Sequence, residues 1–116
     1  MLFRSAYGDL GDHRRCLEML ERALAIQERV FGSDHPEFAK TLNNIGLAFG
    51  DLGDHHRRVE MLERALAIQE RVFGSDHPDV ASTLNDMGLA YGDIGDHRRR
   101  VEMLERALAI KERVFG

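Results

Sequence analysis

Apolar residues recur at helical spacing along the chain, and the pattern repeats at a fixed interval. The clearest example is Met-Leu-Glu-Arg-Ala-Leu-Ala-Ile, which occupies positions 19–26, 61–68 and 103–110, a spacing of 42 residues. It contains strong helix formers and no Gly or Pro. Its apolar side chains fall on one broad stripe, with most charged side chains outside it. Because one such helix cannot bury its own stripe, the pattern indicates helices stacked in register.

A second helical pattern precedes this one in each unit. Phe38, Leu42, Ile45 and Phe49 lie at i, i+4, i+7 and i+11, on one side of a helix predicted over about 36–51. We call this the first helix of a unit, and the helix that contains the repeated octapeptide the second helix. The middle second helix is predicted from about His55 to Val72.

Short polar segments separate the predicted helices. We expect Asp34 to cap the first helix, with Glu37 as its capping-box partner and Pro36 in the first turn. The pentapeptide Gly50–Asp54 contains two glycines and two possible caps, so it predicts a turn between the two helices. The same arrangement repeats 42 residues later.

The chain is therefore predicted to be all-α, a single array of helix pairs over residues 1–116. Residues 32–73 and 74–116 form full units, which differ at nine of their 42 aligned positions, and residues 1–31 form a partial unit. The partial unit lacks half of its first helix, and it has Arg4 where a full unit has Gly46. We expect a short, frayed N-terminal remnant, five longer helices, and more than about two thirds of the chain helical.

Composition and charge narrow the functional classes. The net charge is −4 with both signs interspersed, so no basic stripe for nucleic acid is present. No run of about 18 apolar residues predicts a membrane span. Cys16 is the only cysteine, which excludes an internal disulfide and favours a reducing, cytoplasmic setting.

Two patterns that resemble chemical sites have simpler explanations. The six histidines recur at the repeat interval, which spreads them along the array, whereas a metal site needs three or four converging ligands. Glu60, Glu63 and Arg64 resemble acid–base groups, but Glu60 and Arg64 have the i,i+4 order of a surface ion pair. We expect no metal, no cofactor and no enzymatic activity.

The full units resemble tetratricopeptide repeats, specifically the 42-residue kind found in kinesin light chains and in many bacterial and algal arrays. The resemblance covers nearly the whole chain and rests on a set of signature positions in each unit. These are Leu42, Ile45, Gly46, Phe49, Gly53, Leu62 and Ala65, and Leu84, Met87, Gly88, Tyr91, Gly95, Leu104 and Ala107. It implies a right-handed helical solenoid of stacked antiparallel helix pairs.

The resemblance also implies that a concave face lined by first helices binds a protein or peptide. The positions that it places there are Lys40, Asn43, Leu47, Ser82, Asn85 and Leu89. In related peptide-binding arrays, the amide matching Asn43 and Asn85 bonds the peptide backbone, since it offers both donors and an acceptor. The alternative is that these amides face water or satisfy a neighbouring helix.

Self-association is the alternative function. Both ends are expected to be cut from a longer array, so the stripe of the last second helix is left uncovered and copies would stack end to end. Family members usually have Ala where Arg58 and Arg100 stand, on the core stripe. Their stems either reach toward Asp51 or Asp93, or the hairpins open and exchange helices between two copies. The hinges would then be Gly50, Gly53, Gly92 and Gly95.

Overall fold

The structure is a computed structural model that describes residues 2–116, with side chains from residue 11 onward. It contains five α-helices and, within the described residues, no strand; 87% of the chain is helical, as the two-helix period predicts. The helices are α1 (Leu2–Phe31), α2 (Pro36–Asp51), α3 (His55–Phe73), α4 (Pro78–Ile94) and α5 (His97–Phe115).

Each helix packs mainly against its neighbours in sequence, in the order α1, α2, α3, α4, α5. The first helices α2 and α4 each pair with the second helix that follows them, and α4 also packs on α3 of the preceding unit. The result is an elongated stack with principal extents of 46 × 37 × 22 Å. This arrangement confirms the predicted all-α, right-handed solenoid of antiparallel helix pairs.

The first helices begin with a histidine cap, so the predicted Asp34 cap is wrong. The Nδ1 atom of His35 accepts a hydrogen bond from the Glu37 amide at 3.1 Å, and His77 accepts one from Asp79 at 3.0 Å. Proline takes the first helical position, which places the cap one residue before it. The freed Asp34 carboxylate instead pairs with Arg71 near the end of α3.

The turns inside the two full units are closed by glycine. Gly53 has a φ of 84° and Gly95 a φ of 91°, a region that L-residues with side chains rarely adopt. The amide of the next residue donates back into the first helix, from Asp54 to Phe49 O at 2.8 Å and from Asp96 to Tyr91 O at 2.9 Å. The predicted turns are therefore present in both full units.

The partial unit folds differently from the expectation of a separate N-terminal remnant. α1 is one helix of 30 residues that continues through Gly8–Asp12, although the same pentapeptide forms the turn at Gly50–Asp54. In a closed hairpin, a Cβ on Gly46 would meet Arg58 O and Met61 Cβ at 3.4 Å. A bulky residue such as Arg4 at the aligned position therefore disfavours a closed hairpin. The predicted short, frayed remnant is therefore wrong for residues 2–31, which form one continuous helix.

The core lies between the helices of a unit and between successive units. One cluster joins α2 and α3 and includes Phe38, Leu42 and Ile68. The larger cluster continues from α3 into α4 and α5, with Leu84 and Met87 buried at its centre. A continuous apolar core of this kind makes the stacking of units, and not each unit alone, the source of stability.

One hydrogen bond at each junction between units, part-buried at the first junction and buried at the second, was not predicted from the sequence. The Thr83 hydroxyl donates to Gln69 Oε1 at 2.6 Å, and Thr41 donates to Gln27 Oε1 at the same distance. Each bond joins a first helix to the second helix of the preceding unit. Thr83 and Gln69 are both almost fully buried, so their hydrogen bond fixes how α4 aligns with α3 inside an otherwise apolar junction.

Removing this hydrogen bond should destabilise the fold. We expect Thr83→Val to lower the free energy of unfolding by about 1–3 kcal/mol, because it leaves the Gln69 side chain buried without its donor. Urea denaturation measures the change. The matched control is Ser82→Ala on the exposed side of α4, which should shift stability by no more than about 0.5 kcal/mol. Equal effects of the two changes would contradict the structural role of the bond.

Candidate interaction surface

The side chains predicted to bind a partner lie on one side of the first helices. We call this set the first-helix face and define it by Lys40, Asn43, Leu47, Ser82, Asn85 and Leu89. Leu47 and Leu89 are 55% and 59% exposed, although each lies within a well-packed helix. Their aligned positions give the face an apolar side chain in each full unit.

Part of the Asn43 side chain is used in a contact between the two full units. Its Nδ2 atom lies 3.5 Å from the Thr83 hydroxyl oxygen, a long contact that links α2 to α4. Its Oδ1 atom is buried and, among the described residues, has no hydrogen-bond partner. Lys40 lies nearer the start of α2, where its ammonium donates a hydrogen bond to Glu37 Oε1 at 3.2 Å.

A groove of about 190 Å³ lies between the two full units beside these residues. Its base includes Arg58, whose stem crosses Gly50 and whose Nη1 atom lies 3.8 Å from Asp93 Oδ2 of the next unit. Arg58 Nε is buried and has no partner within the described part. The groove therefore contains a buried donor and a buried acceptor that are both unsatisfied. Its lining residues are Asn43, Asn44, Leu47, Arg58, Leu62 and Asp86.

Asp86 gives this groove a negative group that the other full unit lacks, since Asn44 occupies the aligned position. Burial raises the pKa of the Asp86 carboxyl above its ordinary value, and the charge of Arg58 opposes that rise. Asn44 and Asp86 occupy one of the nine aligned positions at which the full units differ. This difference is the only feature of the sequence that points to their role.

A second groove, of about 210 Å³ and mostly apolar, adjoins the first and shares Asn44 and Leu47 with it. His13 and Asp51 lie on its border, with Nε2 and Oδ2 3.4 Å apart. The same pairing joins His55 to Asp93 at 3.8 Å in the next junction. Its lining residues are His13, Cys16, Leu20, Asn44, Leu47, Ala48 and Asp51.

The residues predicted as hinges lie in closed hairpins. Gly50 and Gly92 leave room for the arginine stems, because a Cβ would lie 2.9 Å from Arg58 Cδ and 3.2 Å from Arg100 Cδ. Arg58 reaches one of the two predicted aspartates, Asp93 of the next unit, with only 13% of its side chain exposed. Arg100 is exposed, and neither full hairpin is open.

The charged residues considered for acid–base chemistry contact aromatic rings and neighbouring units. The Arg64 guanidinium carbon lies 5.9 Å from the Phe38 ring centre, which replaces the predicted pairing with Glu60. Glu63 accepts a hydrogen bond from the Tyr91 hydroxyl at 3.3 Å. Burial, together with Glu63, raises the pKa of Tyr91.

The described residues contain no group of three or more potential metal ligands. None of their helices combines the length and the apolar character needed to cross a bilayer.

Comparison with known proteins gives a family match over most of the chain. The model of the tetratricopeptide repeat matches residues 5–57 and 51–113. No curated protein matches the chain.

Solved structures of repeat proteins are similar in both fold and sequence. The nearly identical TPR-like repeats of a proposed kinesin light chain from Podosopora anserina share 29% identity over 95% of this chain, with a TM-score of 0.80. BtubC (BKLC) from P. vanneervenii shares 29% identity over 97% of this chain, with a TM-score of 0.85. The chain spans 52% and 44% of the lengths of those two proteins.

The raised pKa of Asp86 predicts a pH-dependent gain in stability on substitution. A carboxyl whose pKa is higher in the folded state stabilises the fold below its ordinary value of 3.8, and this contribution is lost as pH rises through the folded value. Asp86→Asn should therefore raise the free energy of unfolding at neutral pH, as measured by urea denaturation. The gain should be no more than about 0.5 kcal/mol because the residue is half exposed. At pH values below the ordinary pKa of this carboxyl, the unchanged chain and Asp86→Asn should have the same free energy of unfolding. A less stable variant at neutral pH would show that Arg58 outweighs burial.

Proposed function

Because the chain belongs to the tetratricopeptide repeat family, we propose that it is a non-catalytic module that binds a peptide or protein on the first-helix face. Repeats of this family generally mediate protein interactions or scaffolding. The observation that carries the proposal is the exposure of Leu47 and Leu89 at the same position in both full units. Two apolar side chains at the repeat interval suit an extended ligand that contacts successive units.

The polar groups of the adjoining groove complement the backbone of such a ligand. Asn44 lines this groove, and its exposed amide offers both donors and an acceptor to a peptide group. Asp86 adds a negative charge to the same groove, which favours a ligand with a basic or hydrogen-bond-donating side chain at that point. The apolar groove beside Leu47 would receive an adjacent apolar side chain.

The remaining parts of the proposal follow from the same family assignment. We assign the chain no reaction and no cofactor, and we place it in the cytoplasm, as the names of its kinesin light chain-like relatives suggest. Its partners are proteins or peptides, without a role for nucleic acid or membranes.

Peptides selected from a random displayed library against the whole chain provide the probe for this function. We expect the double change Leu47→Ser and Leu89→Ser to weaken selected peptides by about tenfold or more, since each removes apolar area from the contact. Asn85→Ala should weaken them less. Fluorescence anisotropy measures the affinities.

The matched control is Met19→Ser with Ile26→Ser, which removes equally exposed apolar side chains from α1. These changes should leave affinity unaltered. Peptides that bind the Leu47 and Leu89 variant as tightly as the unchanged chain would refute binding on this face.

Self-association by helix exchange is a second candidate, favoured by the continuous α1. In α3, Met61 and Ile68 contact the first helix of their own unit, whereas the aligned Met19 and Ile26 of α1 are exposed. The open pentapeptide Gly8–Asp12 directs the start of α1 away from the rest of its own unit. A second copy could then supply the missing cover, with each copy covering the other.

Gly11 offers a matched pair of variants for this candidate. It is helical in α1, and a Cβ on it would meet no atom within 4 Å. Gly11→Ala should favour the continuous helix by up to about 1 kcal/mol and increase the dimer fraction. Gly11→Pro should break the helix and reduce that fraction. Light scattering measures the mass, and a chain that stays monomeric at high concentration would rule out exchange.

A further inference from the structure

The first-helix face presents the same central contacts in both full units. Asn43 and Leu47 on α2 are repeated as Asn85 and Leu89 on α4. Because these contacts are equal, they do not decide which part of a bound segment lies on which unit. Specificity is a difference between affinities, so it must come from positions at which the two units differ.

Two of the nine differences between the units lie at this surface, and both change its charge. Lys40 on α2 is aligned with Ser82 on α4, and Asn44 is aligned with Asp86. The two positions are four residues apart, so in each helix they lie on neighbouring turns of the same side. Lysine for serine and asparagine for aspartate each make the α2 side more positive by one charge. The α2 and α4 sides of the surface therefore differ by two charges.

The positive charge on the α2 side is accessible to a ligand. Lys40 is exposed, and its Nζ atom contacts Glu37 Oε1 at 3.2 Å in an ion pair of two largely exposed side chains. Such surface pairs contribute little to stability, so Lys40 can turn to a second carboxylate at little cost. An acidic residue of a ligand that crosses α2 would be attracted to this position.

The negative charge on the α4 side is incompletely balanced within the chain. Burial raises the pKa of the Asp86 carboxyl, and the charge of Arg58 does not cancel this rise. Arg58 is also shared with Asp93, whose Oδ2 atom lies 3.8 Å from Arg58 Nη1. A basic side chain that enters the groove beside Asp86 would therefore stabilise the charged carboxylate.

We propose that the ligand of the first-helix face is a dipolar segment, with an acidic residue beside Lys40 on α2 and a basic residue beside Asp86 on α4. These two charges fix which part of the segment lies on which unit, because turning the segment round would place like charges together. Leu47 and Leu89 supply the apolar contacts in either orientation. The inference rests on the proposed binding at the first-helix face and adds the chemistry of the ligand.

The probe is the pool of peptides selected from a random displayed library against the whole chain. We expect most selected peptides to carry an acidic and a basic residue on opposite sides of their apolar residues. In the tightest peptide, the acidic residue is replaced by its amide or the basic residue by Gln. Fluorescence anisotropy then measures each peptide on the unchanged chain, on Lys40→Ser and on Asp86→Asn, which introduce the residues of the other unit.

Matching pairs of changes should be coupled. Lys40→Ser should weaken the unchanged peptide about two- to fivefold, as the loss of an exposed ion pair implies, but should not weaken the peptide that lacks its acidic residue. Asp86→Asn should be coupled in the same way to the basic residue of the peptide. The crossed combinations should show no coupling. Added salt should reduce both couplings, because it screens exposed charges.

Lys111→Gln and Glu105→Gln are the matched controls. Each removes one exposed charge of the same sign from α5, away from the first-helix face, and leaves the residues of that face unchanged. Neither should be coupled to a charged residue of the peptide. Coupling to these controls as strong as to Lys40 and Asp86 would show a general effect of net charge and would overturn the proposal.

The change Leu47→Ser with Leu89→Ser separates this inference from the proposed function. Peptides that it weakens, but that carry charge of one sign only or show equal coupling in matching and crossed combinations, would overturn the dipolar ligand while leaving binding at this face intact. Peptides that it does not weaken would refute the first-helix face itself, and this inference with it.

Discussion

Each second helix depends on cover from two first helices, one from its own unit and one from the next. α3 has both, and its apolar side chains are buried on both sides. α1 has only the cover of α2, and α5 has only that of α4, so apolar side chains remain exposed on the other side of each. Burying one Leu-sized side chain contributes about 1.5–3 kcal/mol, so these differences are large beside the stability of a small domain.

The same constraint explains which parts of the fold could be predicted from sequence. The bounds of α2 and the start of α3 agree with the predicted 36–51 and His55, because apolar periodicity and Gly-rich turns act locally. The predicted N-cap was wrong because Pro36 takes the first helical position, which makes His35 the cap and leaves Asp34 to pair with Arg71. The prediction of a separate N-terminal remnant was wrong because the Gly-rich pentapeptide forms a turn only when the first helix can pack closely against the second.

The candidate site was predictable in a different way. Periodicity alone does not distinguish Leu47 from a core residue, and its place on the first-helix face came from the family resemblance. One groove beside it combines side chains from α2, α3 and α4 and the other combines side chains from α1 and α2, so no single unit contains their pattern. Asp86 was visible only as a difference between near-identical units. Its meaning required the structure, which shows that Asp86 lines a groove at the junction between those units.

Hydrogen exchange at the backbone amides of α3 and α5 tests most directly whether cover by first helices, and not helix sequence, holds this array together. The two helices differ at only two of 19 positions, so their intrinsic helix propensities are nearly equal. Cover by α2 and α4 predicts much slower exchange in α3 than at the aligned amides of α5. Equal protection of the two helices, position by position, would contradict the dependence on cover.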